Sequence, residues 1–262
     1  MLECVINISE GRDLDVVGEI ARSAGSDLLD IHSDPDHNRS VLTVVGEDAS
    51  RSIIRAAVER LDLRTHTGVH PRIGVVDVVP FVPLSASTFA DALRARDATS
   101  AWIATELEIP VFLYGPERSL PDIRRSAFAA LPPDLGPPLA HPTAGAVAVG
   151  ARELMLAWNL WLSTPDLERA RTIAREIRGP GVRALGLQVG EQVQVSMNLI
   201  DPLHVGPADV YDQIATFARI ERAELVGLAP RAILDAVEPR RWEELGLSLE
   251  TTIESRLEQR DR

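Results

Sequence analysis

Cysteine occurs once in the 262 residues, at Cys4, so no disulfide can form within the chain. That usage fits a reducing cytoplasm. Cys4 lies in the apolar run Cys4-Val5-Ile6 and reads as a small core residue rather than a nucleophile. Long apolar runs are missing as well. None approaches the ~20 residues that a membrane helix needs, and Met1-Leu2-Glu3 lacks the charged and apolar regions of a signal peptide. Basic residues are in deficit, 27 against 39 acidic ones, for a net charge of -12. This argues against a nucleic-acid partner, which needs a basic footprint. Any anionic ligand must be held by a local arginine cluster against the overall field. What is present is ordinary for a globular protein: 45% hydrophobic and 25% charged residues, at a length that suits one large domain or two small ones. The expectation is a cytoplasmic protein with neither nucleic acid nor membrane as partner.

Residues able to do chemistry concentrate at 66–83. The stretch opens as His66-Thr67-Gly68-Val69-His70-Pro71-Arg72, then becomes an apolar run that reads as a buried strand over 73–82. Loops held by a rigid scaffold are where sites usually lie. His66 and His70 stand four apart, a spacing that on a helix would pair them on one face as metal ligands. Gly68 between them and Pro71 after His70 oppose a helix, because proline pushes the preceding residue toward extended dihedrals. With no helical frame and no further ligands, no metal is expected. His70 beside Arg72 reads as a general base next to an anion-holding group. The alternative from these residues alone is a strand-capping histidine and a solvated arginine.

The chain reads in order as strand 3–8, helix 13–24 ended by Gly25, strand 28–32, a turn at 33–36, strand 40–45, helix 49–61 and strand 73–82. Strand, helix, strand, strand, helix, strand is the split βαβ or ferredoxin-like order. A helix at 90–107 and a strand at 111–114 follow, then a less regular stretch over 116–150 with a short helix at 120–128. Its loop, Gly136-Pro137-Pro138-Leu139-Ala140-His141-Pro142-Thr143-Ala144-Gly145, cannot be helical. Such a rigid loop either lines a ligand or is a surface connection. The second half repeats the element order: strand 154–162, helix 163–177, strands 182–189 and 193–199, helix 208–220 and strand 225–228. Helices at 231–237 and 248–259 close it. The expected class is α/β (α+β), with two ferredoxin-like subdomains, each a sheet with helices on one face, and a ligand cleft or tunnel where they meet.

Taken together, several segments resemble the glutamate formimidoyltransferase family, the formiminotransferase part of the folate-dependent histidine-degradation enzyme. They are Glu3-Cys4-Val5 with Asn7, Ser9-Glu10-Gly11-Arg12, Asn38-Arg39, Gly68 with His70-Pro71-Arg72, Asp77 with Pro80-Phe81, Leu113-Tyr114-Gly115, Asp134 with Gly136-Pro137, Gly150-Ala151-Arg152, Gln194-Val195-Ser196 with Asn198-Leu199, and Leu225-Val226-Gly227-Leu228. They occur in the family's order and span almost the whole chain, His-Pro-Arg being the most specific.

The resemblance implies an N-terminal subdomain over 1–153 and a C-terminal one over 154–262, with folate in a tunnel between them. It implies transfer of a formimidoyl group from N-formimidoyl-L-glutamate to N5 of tetrahydrofolate, the co-substrate, without a metal. The family's catalytic histidine falls on His70. Its folate-contacting residues fall on Gly136, Pro137, Pro138, Leu139, Ala140, His141, Pro142, Thr143, Ala144 and Gly145, and on Gly181. One imidazole near its ordinary pKa of about 6.5 can take the N5 proton and return it to the departing amino group of glutamate. Arg39, Arg72 and Arg152 are candidates to hold substrate carboxylates by paired hydrogen bonds, and Asn38 either orients a carboxylate or caps its turn. A homodimer is expected, and no cyclodeaminase domain.

The chain departs from the family at His32, where animal members carry an acid, at His37, which replaces a small hydroxyl residue, and at Ala144, which replaces a tryptophan. The stretch 178–183 also lacks the family's lysine-rich run. These departures bear on the donor, on pterin stacking and on polyglutamate preference. Three readings stand at this point: a folate-dependent transferase for formimidoylglutamate or a related N-formimidoyl or N-formyl amino acid, a non-catalytic folate sensor, and a metal-assisted amidohydrolase built on the histidine cluster.

Overall fold

The computed structural model describes residues 1–68 and 71–261; Val69, His70 and Arg262 lie outside the described residues. The chain divides into two compact units, Met1–Glu153 and Leu154–Arg262. Among the described residues, no helix is long and apolar enough to cross a membrane.

The first unit opens with β1 (Leu2–Ile8), α1 (Leu14–Arg22), β2 (Leu28–Asp34), β3 (Arg39–Val45), α2 (Glu47–Arg60) and β4 (Val76–Pro83). Alternation sets β1: Cys4, Ile6 and Ile8 are fully buried, as period-two patterning requires of a strand with one core face. Asp13 caps α1 by accepting from the Val16 amide at 3.1 Å. The four strands lie in the order β2-β3-β1-β4, with antiparallel neighbours. This is the ferredoxin-like arrangement that the element order implies.

The unit then extends its sheet. After α3 (Phe89–Glu106), β5 (Val111–Tyr114) and α4 (Leu120–Ser126) comes β6 (Val147–Ala151), which inserts between β4 and β5 and pairs with both in parallel. The sequence reading treats this stretch as irregular. The physical reason is that β6, Val-Ala-Val-Gly-Ala, is short and buried throughout, so it shows no polar alternation. Val147, Val149 and Ala151 join the core under α1, α2 and α3. Ala146 and Ala148 join a second cluster with Val78, Phe112, Tyr114 and Ile123. Alternation along β5 and β6 therefore puts α4, which carries Ile123, on the sheet face opposite α1–α3. The expected single helical layer gains a partner on the other side.

The second unit contains β7 (Leu156–Leu162), α5 (Leu167–Glu176), β8 (Val182–Val189), β9 (Gln192–Leu199), α6 (Pro207–Ala215), β10 (Ile220–Leu225), α7 (Arg231–Asp235) and α8 (Ile253–Arg260). Its antiparallel sheet runs β10-β7-β9-β8, again the ferredoxin-like order. The helix expected through Ile220 stops at Ala215, and the strand expected at 225–228 lies earlier. Charge-rich Ile220-Glu-Arg-Ala-Glu-Leu pairs with β7 instead, and the Arg222 guanidinium lies 4.0 Å from the Trp161 ring centre. Cross-strand contacts override local propensity here. The core holds Trp158, whose indole N–H donates to the Leu245 carbonyl at 2.9 Å.

Close packing of α5 on β8 depends on Gly186, where a Cβ would lie 2.3 Å from the Arg171 amide nitrogen and 2.5 Å from the Ala170 carbonyl carbon. Gly186→Ala is expected to destabilise the protein by about 1–3 kcal/mol through overpacking. Gly179→Ala, where the added carbon meets nothing within 4 Å, should stay within about 0.5 kcal/mol. Thermal melting of the two variants checks the contrast; equal melting would refute the packing argument.

Candidate active site

Between β2 and β3 the chain reverses through residues 35–38. Asn38 sits in the left-handed region, at φ 47°, which asparagine tolerates better than most residues. Its side chain is buried and used at both ends: Oδ1 accepts from the Gly11 amide at 2.9 Å, and Nδ2 donates to the Thr67 carbonyl at 2.9 Å. Asn38 thus ties the loop after β1 to the histidine-bearing segment, which is more than a local turn cap does. Gly11 must be glycine for this approach, since a Cβ would meet the Asp34 carbonyl oxygen at 2.4 Å. The Glu10 carboxylate accepts from the amides of Gly11, Arg12 and Asp13 at 2.7–2.9 Å, a nest of backbone donors around one anion.

Arg72 holds the same turn from the other side. Its guanidinium donates to the carbonyls of His37 at 3.1 Å and Asn38 at 3.3 Å, and to Nδ1 of His66 at 2.8 Å. His66 Nε2 lies 2.9 Å from the Asn38 carbonyl oxygen and also contacts the Arg72 guanidinium. Burial lowers its pKa, and the nearby Arg72 charge adds to that against the bond to Asn38. Burial of His66 and its bonding to Asn38 and Arg72 make it a structural histidine.

Behind Arg72 lies Asp77, 2% exposed. Its Oδ1 accepts from the Ile73 amide at 2.8 Å, and its Oδ2 pairs with Arg124 at 2.5 Å. This explains why β4 begins at Val76 and not at 73: the Ile73 amide is taken by a side chain instead of a strand ladder. Burial pushes the Asp77 carboxyl upward, opposed by Arg124, the Ile73 amide, Arg39 and Arg72. Arg39, half-buried at the start of β3, feels the same carboxylate, which supports its charge against the lowering effect of burial.

The rigid loop meets this segment at its end. The Leu63 amide donates to the Thr143 carbonyl at 2.8 Å, the Val75 amide to the Ala144 carbonyl at 2.9 Å, and the Ala146 amide to the Ile73 carbonyl at 2.9 Å. Residues 63–75 are therefore laced at both ends to 143–146. Gly74 and Gly145 form a bridge, and a Cβ on Gly74 would lie 2.0 Å from the Ala146 carbonyl oxygen. His141 Nδ1 accepts from the Ala144 amide at 3.0 Å. Ala144 itself is 2% exposed and packs in the core, whereas Leu139 is 77% exposed.

Asn38, Arg39 and Arg72, with the end of the 136–145 loop, thus come together in the first unit. His70 lies outside the described residues. Gly181 belongs to the second unit, where its carbonyl accepts from the Ile200 amide at 2.8 Å before β8. Arg152 directs a guanidinium nitrogen to the Glu153 carbonyl. Sequence reasoning misses Arg124 as a site residue and gives Asp77 no role. The charged residue inside the apolar run 73–82 is the signal that points to Asp77. Among the described residues, no group of three His, Cys, Asp or Glu side chains converges as metal ligands.

The Asp34 carboxylate anchors the turn through the His37 ring at 2.5 Å and the His37 and Asp36 amides at 2.9 Å. Burial would raise its pKa, but these bonds outweigh it and hold it at about 2. A depressed folded pKa gives stability that is present above the unfolded value near 3.9 and fades as pH falls toward 2. Asp34→Asn is expected to lose about 2 kcal/mol at pH 7 relative to the parent chain, and about half that at pH 3. Urea denaturation across pH 3–7 measures the gap; a gap independent of pH would remove the linkage.

A family model described as the formiminotransferase domain, N-terminal subdomain, matches residues 1–152. The chain is 35% identical over 275 residues to the glutamate formimidoyltransferase of Streptococcus pyogenes serotype M1, covering 91% of this chain and 92% of that protein. It is 35% identical over 276 residues to the glutamate formimidoyltransferase of Thermoplasma acidophilum, covering 90% of each. With the formimidoyltransferase-cyclodeaminase of Sus scrofa it shares 35% identity over 279 residues, 90% of this chain and 51% of that protein, so it spans about half the latter's length.

Proposed function

The chain belongs to the formiminotransferase family, and from that membership we propose that it moves the formimidoyl group of N-formimidoyl-L-glutamate to N5 of tetrahydrofolate, releasing L-glutamate. The geometric observation that best supports this reading is the lacing of 63–75 to 143–146. It joins the segment that carries the candidate base to the loop proposed to hold the folate, and it does so through backbone bonds that tolerate little movement. Proximity of this kind is what a two-substrate transfer needs.

Tetrahydrofolate supplies the nucleophilic nitrogen. His70 takes the proton that N5 loses as the new carbon–nitrogen bond forms. It returns that proton to the amino nitrogen of glutamate as the old bond breaks, so no other base or acid is required. The residues 136–145 hold the folate; the exposed Leu139 and the prolines before it offer apolar surface. Arg39 holds a substrate carboxylate. Arg72 donates to both carbonyls of the 37–38 turn, so it shapes the site as well as binding. Asn38 orients that turn. The enzyme acts in the cytoplasm and as a homodimer.

His70→Ala should abolish turnover while leaving tetrahydrofolate affinity within about tenfold, because a proton-transfer group acts in the transition state. Product is followed through its acid conversion to methenyltetrahydrofolate; equal turnover in the variant would end the assignment. Arg72→Ala should destabilise the protein by ~1–3 kcal/mol, because charged donors to two buried carbonyls are lost, and should raise KM for the anionic donor as well. Unchanged melting and kinetics would make Arg72 a surface residue.

A further inference from the structure

Arg124 stands on α4, more than fifty positions from the His-Pro-Arg segment, and reaches it twice. One guanidinium nitrogen donates to the Pro71 carbonyl at 2.5 Å, and another pairs with Asp77 Oδ2 at 2.5 Å. The other Asp77 oxygen accepts from the Ile73 amide. A single side chain and a single buried carboxylate thus bracket Arg72 on both sides, at positions 71 and 73. We propose that Arg124 is a positioning residue for His70: by fixing the Pro71 carbonyl and, through Asp77, the Ile73 amide, it sets the backbone immediately after the base. The inference rests on the reading of His70 as that base.

A purely structural role for Arg124 would be to secure α4, but α4 has its own anchors. Ser119 and Asp122 form a reciprocal capping box, and Ile123 is fully buried against the sheet. A helix-securing ion pair also needs only one donor. The fork shape of guanidinium is what lets one residue hold a carbonyl and a carboxylate together. Lysine would supply a single point charge, and this chain contains none: all 27 of its basic residues are arginine. The surrounding charge is consistent with this role. Arg39 and Arg72 also act on Asp77, so the carboxylate keeps electrostatic support when Arg124 is replaced.

The test uses the full chain with Arg124→Gln, Arg124→Lys and Arg124→Ala. Arg124→Gln keeps one donor group and is the variant expected to fold; the double variant Asp77→Asn/Arg124→Gln removes the buried charge should the single one melt early. Two readouts are taken. Amide hydrogen exchange over residues 72–74, without substrates, should accelerate at least tenfold in Arg124→Gln while exchange in β1 and β3 is unchanged. With N-formimidoyl-L-glutamate and tetrahydrofolate, kcat should fall roughly ten- to hundredfold with both KM values within about threefold, as expected when a reacting group is misplaced. Arg124→Lys should recover only part of the loss, and added guanidinium should restore part of kcat to Arg124→Ala. Unchanged exchange at 72–74 overturns the proposal whatever the activity. Faster exchange with unchanged kcat overturns the positioning role and leaves a structural anchor. Absent transfer by the parent chain ends the base reading and this role with it, and exchange alone then shows whether the anchor exists.

Discussion

The contact between Gly74 and Gly145 is the constraint on which the first unit's candidate site depends. There the two backbones run so close that a Cβ on Gly145, at φ +73°, would lie 2.3 Å from the Ile73 carbonyl oxygen. Only glycine allows both the approach and the dihedral. Once it is made, the hydrogen bonds 63–143, 75–144 and 146–73 follow. They close residues 63–75 into a loop whose ends cannot drift apart. Everything the site requires of that loop, including the approach of Arg72 to the 37–38 turn, starts from this closure. Gly68 repeats the logic at the loop's tip, since a Cβ there would lie 2.5 Å from the His37 carbonyl oxygen.

Inside that frame, charge is arranged by guanidinium groups in a chain whose net charge is -12. Arg72 spans two carbonyls and an imidazole; Arg124 spans a carbonyl and a carboxylate; Arg12 reaches the Pro35 carbonyl at 2.8 Å and the Thr67 hydroxyl at 3.3 Å. Each bridges two segments distant in sequence, which a planar fork with five donors does and a single ammonium does poorly. Arg124, Arg39 and Arg72 gather positive charge around a single buried acid, Asp77. An anionic substrate approaching an acidic protein needs such a concentration, because interactions between exposed charges beyond about 10 Å are screened.

Much of this was legible in the residues. The ferredoxin-like order of both halves follows from hydrophobic period, and the His-Pro-Arg segment declares itself by placing titratable groups before an apolar run. Asn38 is readable as a turn residue, and the strand after it is read from 40, one residue later than β3 begins. The rest was not, for identifiable reasons. β6 is built of small residues buried throughout, and Gly150 within it has no side chain because the Tyr114 ring would lie 2.2 Å from one. Nothing in such a run separates strand from loop. Arg124 sits in a helix of seven residues close to the charged Asp122 and Arg125, so its sequence context is that of a solvated surface. Its role comes from contacts at separations of 47 and 53 residues, which no local pattern encodes. β10 is read late, as a strand at 225–228 after a helix carried to Ile220, because its register with β7 is set by Trp161 and Asn159, some sixty positions earlier.

The histidines show why counting residue types misleads at such a site. Five of the six fall at or near the expected mouth, which invites a reading in terms of metal ligands or shared proton transfer. The structure distributes them differently. His37 bonds to Asp34, His66 is held between Asn38 and Arg72, and His141 accepts an amide inside its own loop. Each of these rings holds a bend in the chain through a specific nitrogen. Each of these three histidines thus has a structural partner, and the proposed acid–base role stays with His70. Arg72, Asp77 and Arg124 fix the backbone that follows position 70, and this division between histidines that build and one that reacts is the physical content of the proposed mechanism.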